Sequence, residues 1–238
     1  KSDVDLLDQL GVGAFKLASM HLVEPSFLRY VAQKGKPMIL STGMATLADI
    51  DEAIRSILAT GNDQFIILQC TTNYPSRLED SNLRAMQSMG EVYGCPVGYS
   101  DHTQGNTACV VAAGLGARVI EKHFTLDRSL PGPDQSSSST PDEFAELVRL
   151  IREAEMVRGS CYKRPSKTEI ENARGMRRSL VANQDILRGS IITENMLGSK
   201  RPANGILVKH LDMLIGKKAI RDIHTNTPIS WDDLSNGK

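Results

Sequence analysis

Residues Pro96–His123, PVGYSDHTQGNTACVVAAGLGARVIEKH, hold one full repeat of the chain's architecture. Pro96–Tyr99 is a short strand-like run, Gln104–Gly114 carries a helical pattern, and Arg118–Lys122 is a second run. Strand, helix and strand in that order are the mark of a parallel βα unit, because parallel strands need a crossover between them. The pattern extends outward on both sides. Strand-like runs at Ala14–Ala18, Met38–Leu40 and Phe65–Leu68 precede it, separated by amphipathic stretches at Glu24–Lys34, Thr46–Thr60 and Glu79–Met89; a further helix is predicted over Pro141–Arg158. Thr46 can cap its helix, with Asp49, Asp51 and Glu52 following where the macrodipole favours acids. Gly35 and Gly61 close the helices before the next strands.

Each strand-like run ends in polar, reactive side chains: Lys16 and Ser19, Ser41-Thr42-Gly43, Cys70-Thr71-Thr72, Ser100-Asp101-His102 and Glu121-Lys122-His123. The carboxyl ends of the strands are where (βα) barrels assemble their active sites. The absence of GxGxxG and GxxxxGK[ST] weakens a dinucleotide- or nucleotide-binding open sheet. The expected class is therefore α/β of the barrel type.

From about Arg174 the texture changes. Short strands are expected at Ser179–Ala182, Ile191–Thr193 and Lys217–Ile220. Asp185–Leu197 (DILRGSIITENML) and Asp222–Leu234 (DIHTNTPISWDDL) align without gaps, and Thr193 and Ser230 stand before an acidic helical turn in both. Such an echo predicts a small pseudo-symmetric module with a thin core of its own. The expected boundaries are a barrel portion at 1–162, a linker at 163–175 around Pro165, and the module at 176–238.

Composition narrows the function classes. The 238 residues carry 28 Lys+Arg against 28 Asp+Glu, and zero net charge argues against a nucleic-acid or polybasic membrane surface. No apolar run reaches the roughly 18 residues of a membrane span. Cys70, Cys95, Cys109 and Cys161 form no CxxC pair, and without a leader pattern they read as reduced thiols of a cytoplasmic protein. The chain starts at Lys1 inside a helical pattern, so a segment of a longer protein is expected.

His102 and His123 end consecutive strands, which lie about 4.8 Å apart, so both imidazoles can reach one ion. The plainer alternative is two satisfied core histidines. Asp101 and Glu121 are placed to orient the rings. His21, His210 and His224 lack such a context and read as surface or structural residues. An inward Lys16 needs an anion or a carboxylate; it is either a phosphate or carboxylate ligand, a Schiff-base lysine, or a lysine paired with a neighbouring acid. Ser19, Ser41 and Ser100, singly turn residues, together with Lys16 form a candidate phosphate cradle. Asp134 sits in the stiff loop Leu130-Pro131-Gly132-Pro133-Asp134, either as a site acid or as a turn residue. Ser136–Ser139 form a lid or a connector, and Arg201 is either a solvated side chain or an external contact to an acceptor.

Six ordered motifs carry a resemblance: Phe15-Lys16-Leu17-Ala18-Ser19, Leu40-Ser41-Thr42-Gly43-Met44, Gln69-Cys70-Thr71-Thr72-Asn73-Tyr74-Pro75, Gly98-Tyr99-Ser100-Asp101-His102-Thr103, Glu121-Lys122-His123-Phe124-Thr125-Leu126-Asp127 and Pro131-Gly132-Pro133-Asp134. In this series the chain resembles the sialic acid synthase family, and the tail with Lys200-Arg201-Pro202 resembles its antifreeze-like (SAF) domain. The resemblance implies a TIM (βα)8 barrel, of which strands four to eight are visible, with the SAF domain swapped across a homodimer. It also implies condensation of phosphoenolpyruvate with an N-acylated hexose such as N-acetylmannosamine, assisted by Mn2+ or another divalent ion such as Mg2+ or Co2+. On that basis His102 and His123 bind the metal, and Lys16, Ser19, Ser41, Thr72 and Ser100 hold phosphoenolpyruvate. Tyr74 and Asp134 contact the sugar, and Arg201 reaches the partner subunit's acceptor.

Three departures accompany it. The first three barrel strands, with a further lysine and acids, are expected upstream of Lys1. The segment alone is accordingly expected to be weakly active or inactive, and prone to aggregate through open strand edges. His21 stands where some members have an acid, and Thr72 where some have Asn. Two rivals remain: a two-histidine metal-dependent aldolase or hydrolase, and a non-catalytic carbohydrate-binding module.

Overall fold

The computed structural model describes residues 1–235. The chain divides into two compact units, Lys1–Gly159 and Ser160–Lys238. The first runs α1 (Ser2–Gln9), β1 (Phe15–Leu17), α2 (Pro25–Ala32), β2 (Met38–Ser41), α3 (Leu47–Leu58), β3 (Phe65–Cys70), α4 (Arg84–Tyr93), β4 (Val97–Asp101), α5 (Thr107–Gly114), β5 (Val119–Lys122) and α6 (Pro141–Arg158). The strands form one sheet in the order β1-β2-β3-β4-β5, every neighbour parallel.

Alternation along the strands divides the sheet into two faces. Phe15, Leu17, Met38, Leu40 and Ile67 point outward and are buried beneath Leu28 and Val31 of α2 and Ile50, Ile54 and Ile57 of α3. Tyr99 does the same with Met86, Cys109, Ala112 and Leu147. The Thr46 and Thr140 capping boxes fix the starts of α3 and α6, with Asp49 and Glu143 as the reciprocal acids. The fourth and fifth helices start later than the sequence pattern implies. A 3-10 turn at Leu78–Asp80 and a left-handed Asn82 (φ 41°) break the path before α4, and Gly105 (φ 76°) does so before α5.

The sheet is strongly curled. Strands β1 and β5 lie four inter-strand steps apart, about 19 Å in a flat sheet, yet Lys16 Nζ on β1 reaches Glu121 Oε2 on β5 at 3.2 Å. Lys16, Ser41, Cys70, Ser100 and Glu121 therefore share a concave inner face, and the unit is a half-barrel. Gly98 permits this curvature, because a Cβ there would sit 2.3 Å from the Val119 carbonyl oxygen and 2.6 Å from Leu68 Cδ2.

The second unit contains α7 (Lys167–Met176), β6 (Ser179–Ala182), β7 (Leu197–Lys200) and α8 (Leu211–Leu214), with β6 and β7 antiparallel. Most of the stretch read as a linker is helical, and Ser166 and Glu169 form its capping box. Ile191–Thr193 and Lys217–Ile220 are joined by the single bridge Ile191↔Lys218 and form no ladder.

The internal echo is a physical pseudo-twofold. Ile186 and Ile223, equivalent positions, exchange both backbone hydrogen bonds at 2.8 Å. Asp185 Oδ1 accepts from the Thr225 amide and Asp222 Oδ1 from the Arg188 amide, both at 2.6 Å. The equivalent pairs Ile192 and Ile229, and Leu197 and Leu234, meet in one buried core. Among the described residues no helix is long and apolar enough to cross a membrane.

Candidate active site

His102 and His123 each stand one residue beyond the end of a strand, β4 and β5. Their ring centres are 5.2 Å apart, and the Tyr74 ring closes the group at 4.2 Å from His102 and 5.5 Å from His123. His102 Nδ1 lies 2.7 Å from the Thr71 carbonyl oxygen. That oxygen can only accept, so Nδ1 carries the proton and Nε2 is left free. Asp134 Oδ2 is 3.9 Å from His123 Nδ1. Burial opposes a charge on His102, but Cys70 and the Thr71 carbonyl favour it, and its pKa lies above the ordinary imidazole value. Burial likewise raises the Cys70 thiol, and the contacts from His102 and Ser19 outweigh it, leaving the pKa lowered.

The hydroxyl and lysine groups gather on the same concave face. Glu121 ties two of them together, receiving Lys16 Nζ on Oε2 and the Ser100 hydroxyl on Oε1 at 3.1 Å. Of the alternatives for Lys16, the pairing with an acid is the one present, across the half-barrel. The Ser19 hydroxyl accepts the Gly43 amide at 2.9 Å and lies 3.5 Å from Cys70 Sγ. A Cβ on Gly43 would sit 2.2 Å from Thr72 Oγ1 and 2.8 Å from Ser19 Oγ, so glycine is what lets those two hydroxyls close in on the backbone there. Ser41 Oγ is buried and has no hydrogen-bond partner.

Other candidates lie elsewhere or are differently engaged. His21 pairs with Glu24 at 3.3 Å in an exposed turn. Arg201 is exposed in the second unit, just past β7. Neither Asp101 nor Glu121 orients an imidazole: Asp101 is bound to Lys122 at 2.6 Å, Glu121 to Lys16 and Ser100, and the Thr71 carbonyl holds the His102 ring. All four cysteines are free thiols. Sequence reasoning passed over Glu121 as a hub and Gly43 as a cradle. The i, i+2 spacing of Glu121 and His123 on one strand was the available signal for the first.

The geometry suits a divalent ion. Two imidazoles that share an ion at a metal–nitrogen distance of about 2.0–2.1 Å fit a ring separation of 5.2 Å. Among the described residues no group of three or more His, Cys, Asp or Glu side chains is arranged for a metal.

The NeuB family model matches residues 1–163 and the SAF domain model residues 177–235. The chain is 42% identical over 221 residues to the N,N'-diacetyllegionaminic acid synthase of Campylobacter jejuni, covering 92% of this chain and 66% of the relative. It is 36% identical over 231 residues to the pseudaminic acid synthase of Helicobacter pylori, covering 97% and 68%. It thus spans about two thirds of the length of these relatives. The crystal structure of a putative spore coat polysaccharide biosynthesis protein E from Chromobacterium violaceum superposes with a TM-score of 0.82 at 24% identity, over 98% of this chain and 71% of that one, a likeness of fold. The chain belongs to the NeuB family of sialic-acid-type synthases and carries that family's barrel portion together with an SAF domain.

Proposed function

We propose that this chain is the greater part of a synthase that condenses phosphoenolpyruvate with an N-acylated hexose, giving a nine-carbon sialic-type acid and phosphate. The observation that carries this reading is the concave face on which the His102–His123 pair adjoins Lys16 and four hydroxyls, two of them closed in on Gly43. In the whole protein the half-barrel would be closed by further strands into a (βα)8 barrel. The rival two-histidine aldolase or hydrolase is told apart by turnover without phosphoenolpyruvate.

Lys16 and the hydroxyls of Ser19, Ser41, Thr72 and Ser100 would bind the phosphate and carboxylate of phosphoenolpyruvate, with Glu121 holding the Lys16 ammonium in place. The orphaned Ser41 hydroxyl supports this, because a buried donor without a partner costs about 1–3 kcal/mol until a ligand meets it. Tyr74 and Asp134, at the mouth beside the histidines, would orient the hexose. His102 and His123 would hold the divalent ion, Mn2+ or a similar cation, which supplies Lewis-acid polarisation of the acceptor aldehyde. A carbon–carbon bond forms between the enol methylene and the aldehyde carbon, and the aldehyde oxygen gains a proton. Water adds to the enol-ester carbon and phosphate leaves by carbon–oxygen cleavage. The chain's share is the alignment of the two substrates and the stabilisation of charge.

Arg201 would act on the acceptor of a second subunit in a swapped homodimer. The test is phosphate release from phosphoenolpyruvate by the full-length protein, with N-acetylmannosamine or the acceptors of legionaminic- and pseudaminic-type synthases, with and without EDTA. Release that needs a hexose, stops with EDTA and returns with Mn2+ is expected. Chelator-insensitive turnover, or none with any acceptor, would overturn the reading.

A further inference from the structure

The strand ladder between β4 and β5 ends at the pair Asp101↔Lys122. His102 and His123 therefore lie immediately past the last ladder pair. Each backbone carbonyl is held separately, that of His102 by the Ser76 amide at 2.8 Å and that of His123 by the Ser139 amide at 2.9 Å. Neither bond sets the distance between the histidines.

A side-chain bridge ties the two segments at this point. Because successive residues point to opposite faces, Asp101 and Lys122 face away from the concave surface that carries the imidazoles, and their side chains are 0% and 3% exposed. Lys122 Nζ donates to Asp101 Oδ2 at 2.6 Å and to the Thr103 carbonyl at 2.8 Å. Asp101 Oδ1 accepts the Thr103 amide at 2.8 Å, and Oδ2 accepts the Cys109 thiol of α5 at 3.0 Å. The residue before His123 thus grips the residues on both sides of His102, and α5 holds the grip in place.

Stability alone does not account for such a pair, since desolvating two charges offsets most of their attraction, and well-packed apolar residues often serve as well. We infer that Asp101 and Lys122 are positioning residues, which set the separation and orientation of His102 and His123 for a shared divalent ion. This rests on the reading of the two histidines as the metal ligands. It differs from a ring-orienting role: neither side chain touches an imidazole, and both act through the backbone.

The test measures Mn2+ binding to the full-length protein without substrates, by loss of the free Mn2+ signal in electron paramagnetic resonance. Thermal melting of each variant is recorded alongside. The double variant Asp101→Leu/Lys122→Met removes both charges and leaves none unpaired. It is expected to melt within a few degrees of the parent while its Mn2+ dissociation constant rises about 10–100-fold, the usual cost of losing the groups that orient metal ligands. Asp101→Asn is the second variant, in case the double one does not fold. It is close in shape, keeps the Thr103 contact, and is expected to weaken Mn2+ by a smaller factor. Cys109→Ser retains a donor to Asp101 and is expected to bind Mn2+ as the parent does. If the double variant and Asp101→Asn, folded, bind Mn2+ as tightly as the parent, the positioning role is wrong. If the parent itself binds no Mn2+, the metal reading fails first, and with it the reason for the bridge.

Discussion

In the second unit Asp185 and Asp222 each cap an amide of the other's repeat, and Ile192 and Ile229 fill one core from equivalent positions. The first unit is arranged otherwise. Ser41, the last residue of β2, buries a hydroxyl on the concave face that meets no partner, and two more close in on Gly43. A module that satisfies its polar groups internally gains stability from them. A concave face that leaves a hydroxyl unmet is costly without a ligand and is organised to receive one. The contrast implies that substitutions in the first unit should separate function from stability, whereas those in the second should move stability first.

The sharpest break would come at the histidines. His102→Ala or His123→Ala should reduce hexose-dependent phosphate release by more than about 100-fold, since loss of a group that merely orients a ligand already costs 10–100-fold. The melting temperature should change little for His123→Ala, whose ring is half-buried, and more for His102→Ala, whose ring is buried against Tyr74 and the Thr71 carbonyl. A variant that melts far below the parent yet keeps its activity would make the histidines structural, and the contrast between the units would collapse.

Core truncation in the second unit should show the reverse. Ile192 and Ile229 are both fully buried, and either change to Ala should cost about 2–5 kcal/mol in denaturant unfolding. The two losses should be similar, because the positions are related by the pseudo-twofold. Markedly unequal values would mean that the echo in sequence has drifted apart in packing.

Gly43→Ala and Gly98→Ala compare two tight glycines within the first unit. At Gly98 the new methyl meets the Val119 carbonyl at 2.3 Å, a backbone atom that cannot turn away, so a loss of about 1–3 kcal/mol or more is expected in unfolding. At Gly43 it meets the ends of the Thr72 and Ser19 side chains, which can rotate. The expected signature there is a raised KM for phosphoenolpyruvate with a smaller change in melting. Equal stability losses at both sites would argue that Gly43 serves the fold and not the cradle.

How much of this was legible depended on the range of the interaction. The five strands could be read because each is a local run of apolar residues, and the Thr46 box because its two partners are three residues apart. The α7 helix carried the same Ser166–Glu169 signal, but Pro165 and the charged flanks made the stretch look like a linker. The 3-10 turn and left-handed Asn82 that delay α4 follow from packing that no local pattern records. Above all, the curl is a property of the whole sheet. The Lys16–Glu121 contact joins residues more than a hundred positions apart, so the sequence could offer a paired acid for Lys16 only as one alternative and could not name Glu121. The β4–β5 pair of histidines was legible for the opposite reason, since consecutive parallel strands must be neighbours.

The smallest effect tests the symmetry of the second unit most directly. Asp185 and Asp222 are each one carboxylate accepting one amide at an exposed site, and the loss of such a cap costs about 0.5–2 kcal/mol. Asp185→Ala and Asp222→Ala should therefore fall within a few tenths of a kcal/mol of each other. Their side chains reach across the pseudo-twofold in opposite directions, and both flank the same Ile186–Ile223 bridge. Loss of one cap loosens the bridge that the other must hold, so the double variant should lose more than the sum of the two single losses, by 0.5 kcal/mol or so. Strict additivity would mean that the two repeats carry their caps independently and that the bridge alone joins them.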